Sequence, residues 1–511
     1  MKDRHILIDE LSELRKDTTP DRLLRYVKDN MNSLFASAEM TSLYRMLKDV
    51  DTSASHDELP GIIISWMAFA CGDNREMFQR MQHIRETDLK TPQESSLFYS
   101  LKAMIEGMMN KDNALKYSRL AYDILPLNEK SIFMANAQLT YAQVLAGTDQ
   151  YSKAADFFSS SHHIFNELKM NFLAMVALVN ELLNRFRMGE ISYVINRSQE
   201  ALFMSGSFHD ETKSYSEVAN LPAGMSYHEI NKQNLAIKHL SAAKKSIDDM
   251  GMLHMHGVTE MYLFRSYYIL DDQQNMEKIL NEVITRFGHM NYRQMDILIA
   301  TFKILLHKYN HQPIESEMEM FEIEDSKPSL EAQFMVNEMK TYITLCSYRL
   351  MISSQDILEN LDQFRASGNM TKLQATFIQL AELSNLEGNK EQATLYLKQA
   401  VDIYREYDML VNFLFYPMTL TEEIRAMDRE LHRKLSETRK TNHQIIRESL
   451  LTSREKEILK LISLGKSNSD IGKDLFISVG TIKWHINNIF SKLHAENRIQ
   501  AVKKAKELNE I

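Results

Sequence analysis

The sequence predicts an all-α protein: an α-solenoid of two-helix repeats followed by a small C-terminal domain of four short helices. Three observations point there. Fifteen glycines and eight prolines in 511 residues, 44% of them hydrophobic, leave few of the tight turns that a sheet protein needs. A pattern of small and apolar residues recurs at a step near 40 through most of the chain. Residues 451–511 carry helix start and stop signals in quick succession.

The repeat is read from the second helix of each unit. A small or apolar residue is followed by a position three further on and by another small or apolar residue four beyond that. Ala114, Tyr117 and Ala121 set the pattern. Ala154, Phe157 and Ser161 follow, then Val194, Arg197 and Ala201, then Ala236, His239 and Ala243, then Met276, Ile279 and Val283. The steps are 40, 40, 42 and 40, and Ala393, Tyr396 and Ala400 return after 117, close to three more periods. Alternate helices precede these, as at 137–145 and 377–386, and the turns are punctuated by Gly147, Gly189 and Gly388. Small residues let paired helices approach, and each pair buries its apolar face on the next. The acidic stretch 311–331 blurs the pattern and is either a loop or a degenerate unit. The domain expected is a sensor or interaction array over residues 1–420.

Two other readings of this region are set aside. His5-Ile-Leu-Ile-Asp9-Glu10 opens like the first strand of a phosphate-accepting receiver domain, but no βαβ alternation follows, and no later strand-end Asp and Lys. It is expected to be the first turn of an amphipathic helix. The charged N-terminus has no apolar core of a signal peptide, and the longest apolar stretch, around 62–71, is about half a membrane span. A soluble cytoplasmic protein with no membrane partner is expected. Cys71 and Cys346 match no metal spacing and no disulfide framework. His162 and His163 are adjacent and point to different helix faces, and His254 and His256 offer no better pattern, so neither metal nor cofactor is expected. No catalytic constellation occurs, and no enzyme is predicted. The thirty-two methionines are taken mostly as adaptable core fillers.

Residues 421–449 are dense in charge, with Ile424, Met427, Leu431 and Leu435 forming a narrow apolar seam. A solvated linker helix is favoured over a dimer coiled coil, because the seam is short.

The C-terminal domain, residues 450–511, is built from its caps. Thr452 and Glu455 have capping-box spacing, Ser467 and Asp470 repeat it with a shorter acid, and Asn497 and Gln500 repeat it again. Ser478 is the N-cap expected for the helix between. Gly465 supplies the left-handed residue that ends the first helix. Ile458, Leu459 and Ile462 form the apolar face of that helix; Ile471 and Leu475 form that of the second. Ile482, Ile486, Ile489 and Leu493 stripe the third, and Ile499 and Val502 begin the fourth. Only Phe476, Ile477 and Ser478 separate helices two and three, a turn short enough to cross them steeply, as in a helix-turn-helix.

The outer face of the third helix is Lys483, Trp484, Asn487 and Asn488, with Thr481 at its start and Lys492 further on. Lysine donates to guanine or phosphate, asparagine pairs with adenine, and the indole ring packs on a thymine methyl or a sugar. A helix-packing role is the competing reading of Trp484. His485 is expected to orient the helix or touch a phosphate. Residues 451–511 hold 11 Lys and Arg against 7 Asp and Glu, whereas the rest of the chain holds 49 against 62. The basic end is the place for a polyanion, and the acidic body should keep off it.

This segment resembles the LuxR-type helix-turn-helix family. The family pattern falls on Leu451, Thr452, Arg454 and Glu455, on Gly465, Ser467 and Asn468, on Ile477, Ser478, Thr481, Ile482, Lys483 and His485, and on Lys492 and Leu493. The resemblance implies a helix-turn-helix over 467–486 with Lys483, Trp484 and Asn487 reading bases. Ser467, Asn468, Ser478, Thr481, His485, Asn488 and Lys492 are the expected backbone-positioning set. Gly472 stands where the family places alanine, at a cost of about 1 kcal/mol of helix stability.

Joined to a tetratricopeptide-like array, the whole resembles the MalT-like regulators. Those begin with an ATPase, yet no G-x-x-x-x-G-K-[ST] loop occurs in this chain, so ATP binding is not carried over. The function expected is a sequence-specific DNA-binding transcription regulator. Its repeats sense a small molecule or protein, and it binds double-stranded DNA as a homodimer. An interaction scaffold or anti-activator that docks another regulator is the alternative.

Overall fold

The computed structural model describes residues 4–15, 20–36, 40–52, 57–109, 113–206, 215–250, 252–288, 293–310, 321, 330–347, 350–416, 418–441, 451, 453–475, 479–493, 495 and 497–507. Among these there are helices and turns and no strand. The opening segment is helix Arg4–Leu14, as the amphipathic reading of His5–Glu10 expects. Contacts group the chain into two units. One is Met1–Glu324, Leu358–Ile378 and Lys398–Asn412; the other is Asp325–Ile357, Gln379–Leu397 and Phe413–Ile511.

In the first unit, helices Ile132–Gly147, Tyr151–Glu167, Asn171–Arg187 and Ile191–Ser205 each pack on the one before. The repeat pattern has its physical cause in this packing. The first and third residues of all six triplets are buried, from Ala114 and Ala121 to Ala393 and Ala400. The middle residues Tyr117, Phe157, Arg197, His239 and Tyr396 are half-buried, whereas Ile279 is buried. That alternation explains why the middle position tolerates arginine and histidine.

A unit that the sequence pattern misses lies inside the gap of 117. Helix Ser354–Ser367 places Ile357, Asn360 and Phe364 at the same spacing, and all three are buried. Large residues here fill the positions that small ones hold elsewhere, so the sequence signal is lost while the packing register is kept.

The turns share one device. Residues Asp149, Lys169 and Gly189 are in the left-handed region, twenty apart; Asn231 and Asp271 are forty apart; Gly368, Gly388 and Asp408 are twenty apart again. After each of the first two, the next N–H reaches the carbonyl five residues back: Gln150 to Leu145 at 2.9 Å and Met170 to Phe165 at 2.9 Å. Lys232 to Tyr227 and Asn389 to Ser384, both at 2.8 Å, repeat the bond. This closure satisfies the last carbonyls of one helix and turns the chain into the next. The positions near 210, 251 and 291 lie outside the described residues.

In the second unit, residues 421–441 are two helices rather than one. Thr421–Met427 ends at Asp428, whose extended backbone (φ −149°, ψ 103°) breaks the run before Arg429–Thr441. Ile424, Leu431 and Leu435 are buried within the single chain. Residues 442–449 of the expected linker lie outside the described residues; within 421–441 the apolar seam is therefore buried rather than solvated, and the charge is carried by the opposite face. There Arg433 pairs with Glu430 at 2.6 Å and Glu437 at 2.8 Å.

Candidate nucleic-acid interface

The C-terminal module comprises helices Ser453–Ser463, Asn468–Asp474, Val479–Lys492 and Arg498–Glu507. Its core is Ile458, Leu459, Ile462, Ile471, Ile482, Ile486, Ile489 and Leu493, joined by Leu451, Ala495, Ala501 and Ala505. The first helix stops as its sequence dictates. Gly465 has φ +79°, and the Lys466 N–H reaches the Leu461 carbonyl at 3.2 Å. Ser467 then caps the second helix with a full capping box: the Asp470 N–H donates to Ser467 Oγ at 3.2 Å, and the Ser467 N–H donates back to Asp470 Oδ2 at 3.3 Å. The Ser467 hydroxyl, which donates to Asp470 Oδ2, and then the Ser467 N–H hold the Asp470 carboxyl below its ordinary range. The Gln500 N–H donates to Asn497 Oδ1 at 2.9 Å and starts the fourth helix. Thr452 and Ser478 lie outside the described residues.

One expected core residue is corrected. Ile499 is 83% exposed, and Ala501 and Ala505 are buried in its stead, with Val502 half-buried. The phase of the fourth helix is set by Arg498, which donates to the Lys466 carbonyl at 3.3 Å and to Asn468 Oδ1. With residue 498 facing the turn between helices one and two, residue 499 faces outward.

Thr481, Lys483 and Asn487 are exposed on the third helix, and His485 and Asn488 are half-buried beside them. The backbone of Trp484 belongs to this helix; its side chain lies outside the described residues. The residues expected to position the backbone separate into two groups. Ser467 is exposed, but its oxygen serves the capping box; Asn468 is held by Arg498. Lys492 places its ammonium 2.7 Å from Oε2 of Glu455, whose side chain is only 4% exposed. It thereby ties the end of the third helix to the first.

The sequence reading takes Glu455 as a capping-box acid and misses its pairing with Lys492, and it misses Arg498 altogether; both leave a signal. Glu455 shares its face with Ile458, Leu459 and Ile462 at helical spacing, so a charge there must find a partner as it is buried. Arg498 stands in the first turn of a helix, where the macrodipole disfavours a cation, so another bond must hold it.

The architecture is a four-helix module of helix-turn-helix type. Residues 449–505 match the family described as bacterial regulatory proteins, luxR family, so the module is a domain of that family. The chain is 48% identical over 67 residues to the transcriptional regulatory protein LiaR of Bacillus subtilis, a stretch covering 13% of this chain and 32% of that protein. It is 26% identical over 203 residues to the HTH-type transcriptional regulator MalT of Vibrio parahaemolyticus, covering 34% of this chain and 22% of MalT. The chain thus spans a third or less of the length of these curated relatives. Among solved structures, a Rap protein complexed with competence and sporulation factor superposes with a TM-score of 0.42 at 12% identity, over 76% of this chain and 99% of that one. Among the described residues, no helix is long and apolar enough to cross a membrane. Nor does any group of three or more His, Cys, Asp and Glu there have metal-holding geometry.

Proposed function

We propose that this chain is a DNA-binding transcription regulator whose repeat region, within residues 1–420, senses a small-molecule or protein effector in the cytoplasm. The carrying observation is the luxR-family domain at 449–505 with Thr481, Lys483 and Asn487 exposed along its third helix. Lys483 and Asn487, with Trp484, are assigned to base edges; Thr481, His485 and Asn488 are assigned to phosphates and helix placement. Ser467 and Asn468 act one step back, by fixing the start of the second helix. One module of this size reads few bases, so a homodimer on paired half-sites is the working form. The effector acts by binding two states of the repeat region with different affinity.

The test uses the full chain on genomic fragments that it selects, against random DNA. Lys483→Ala is expected to cost roughly 1–3 kcal/mol on the selected sequence and to relax the preference at one position. Equal losses on selected and random DNA would remove Lys483 from base reading. No selection above random DNA at low salt would favour the scaffold reading.

A further inference from the structure

Helix Met370–Leu386 carries three polar residues at intervals of three, Gln379, Glu382 and Asn385. Gln379 and Glu382 are 1% and 0% exposed, respectively. Polar groups this deep are costly unless each finds a partner. Partners for all three lie in one short segment, just before helix Thr421–Met427. Gln379 Nε2 donates to Tyr416 Oη at 2.7 Å. The Thr419 N–H donates to both oxygens of Glu382, at 3.1 and 3.0 Å, and the Thr419 hydroxyl donates to Oε2. The Leu420 N–H lies 3.4 Å from Oε1. Asn385 Nδ2 donates to Thr419 Oγ1 at 2.9 Å, and the Tyr416 hydroxyl continues the chain to Glu338 Oε1 at 3.4 Å.

Glu382 therefore acts as an N-terminal cap supplied from another helix. Leu420 precedes the first turn of Thr421–Met427, and no side chain of its own caps that helix. The buried carboxylate accepts the donors of residues 419 and 420 and puts a negative charge at the positive end of the helix. A core of leucines would tolerate sliding along this face. A carboxylate that holds three donors fixes one register, because leaving any donor unmatched inside the protein is expensive.

We propose that the Gln379–Glu382–Asn385 row is a coupling joint. It sets the position of helices Thr421–Met427 and Arg429–Thr441, and through it a change in helix Met370–Leu386 is passed to the segment leading to the DNA module. Glu382 is a positioning residue in this scheme, which rests on the DNA-binding reading above.

The experiment is hydrogen exchange by mass spectrometry on the full chain, with Glu382→Gln, Thr419→Val, Asn385→Ala and the exposed control Glu391→Gln. DNA affinity is measured in parallel on a fragment selected by the wild-type chain. Glutamine keeps one acceptor and loses the other, so Glu382→Gln should raise exchange across 420–441 roughly tenfold while 132–205 keeps its protection. DNA affinity should shift by about fivefold or more with it, and not in the control. If Glu382→Gln fails to fold, Thr419→Val and Asn385→Ala decide the matter, since both alter the partly exposed end of the row. Unchanged exchange at 420–441, faster exchange everywhere alike, or faster local exchange with unchanged DNA affinity each overturns the joint. If the wild-type chain selects no DNA, the functional reading falls by itself. Exchange confined to 420–441 then still supports the joint, and its absence overturns it.

Discussion

The repeat helices and the DNA module solve the same packing problem with different materials. Among its described residues the module buries a short roster of Ile, Leu and Ala and only one charge, Glu455, which Lys492 reaches at 2.7 Å. The repeats bury polar groups at many levels. Glu181 accepts the Tyr193 hydroxyl at 2.9 Å, Lys244 lies 3.1 Å from the buried Glu260, and His228 sits among Gln233 and Ser266. Burial drives the Glu260 carboxyl upward, and Lys244 pulls against it. A stack of similar helices has many near-equivalent registers, and directional bonds choose one at some cost in stability. A four-helix module with distinct helix lengths needs no such device.

The largest effect expected from this contrast is acid sensitivity of the repeats. The His228 ring is 1% exposed, with Nδ1 3.0 Å from Gln233 Oε1 and 2.9 Å from Ser266 Oγ, and its edge set against Tyr262. Burial, with Arg265 nearby, pushes its pKa down to about 3. Unfolded, the imidazole titrates near 6.5, so between the two values the unfolded chain binds the extra proton. Stability is full above about 6.5 and falls as the pH drops toward 3, by at most about 1.4 kcal/mol per unit. At pH 5 the loss should be about 2 kcal/mol relative to pH 7.5. Urea unfolding of wild type and His228→Gln at both values measures it: the variant should lack this increment of the slope. Identical slopes would show that His228 is not held neutral.

Next in size is the buried charge of the module, Glu455. Lys492→Met leaves Glu455 without its ammonium. Because the lysine side chain is itself 38% exposed, the expected cost is about 1–3 kcal/mol rather than that of a fully buried pair. Glu455→Gln should cost less, since the lysine can return to water. The same pair of variants tests where Lys492 acts. A phosphate contact predicts a flatter salt dependence of DNA binding for Lys492→Met and none for Glu455→Gln. A positioning role predicts that both weaken binding with the salt slope unchanged.

Much of this was legible in the sequence, for stated reasons. The module announced itself because each helix boundary has its own chemistry: Gly465 takes φ +79°, Ser467 and Asp470 close a capping box, and Asn497 bonds residue 500. Its apolar stripes were placed correctly except at Ile499, where a bond made by Arg498 to a distant carbonyl sets the helix phase. The cation in the first turn signals that some partner must exist, but which carbonyl it reaches depends on tertiary neighbours. The repeats were legible through small residues, and the unit at Ile357, Asn360 and Phe364 vanished where large residues replaced them. Partners of buried polar side chains were the least legible, because Glu382 and Thr419 meet only after the chain has turned twice.

The turns carry the smallest prediction and the clearest limit of sequence reading. Glycine marks Gly189 and Gly388, yet equivalent left-handed positions are held by Asp149, Lys169, Asn231, Asp271 and Asp408. A side chain in this region costs roughly 1 kcal/mol, which packing on both sides absorbs. Gly388→Ala should therefore cost about 1 kcal/mol, because a Cβ there meets nothing within 4 Å and the penalty is backbone strain alone. Gly189→Ala should cost more. The same strain applies, and its Cβ would also lie 2.7 Å from the Tyr407 ring. Asp271→Gly should change stability by less than about 0.5 kcal/mol, since relief of strain is offset by the freer unfolded chain. Thermal unfolding of the three variants ranks them. If Gly388→Ala proves as costly as Gly189→Ala, contact with Tyr407 adds nothing and the backbone alone dictates the turn.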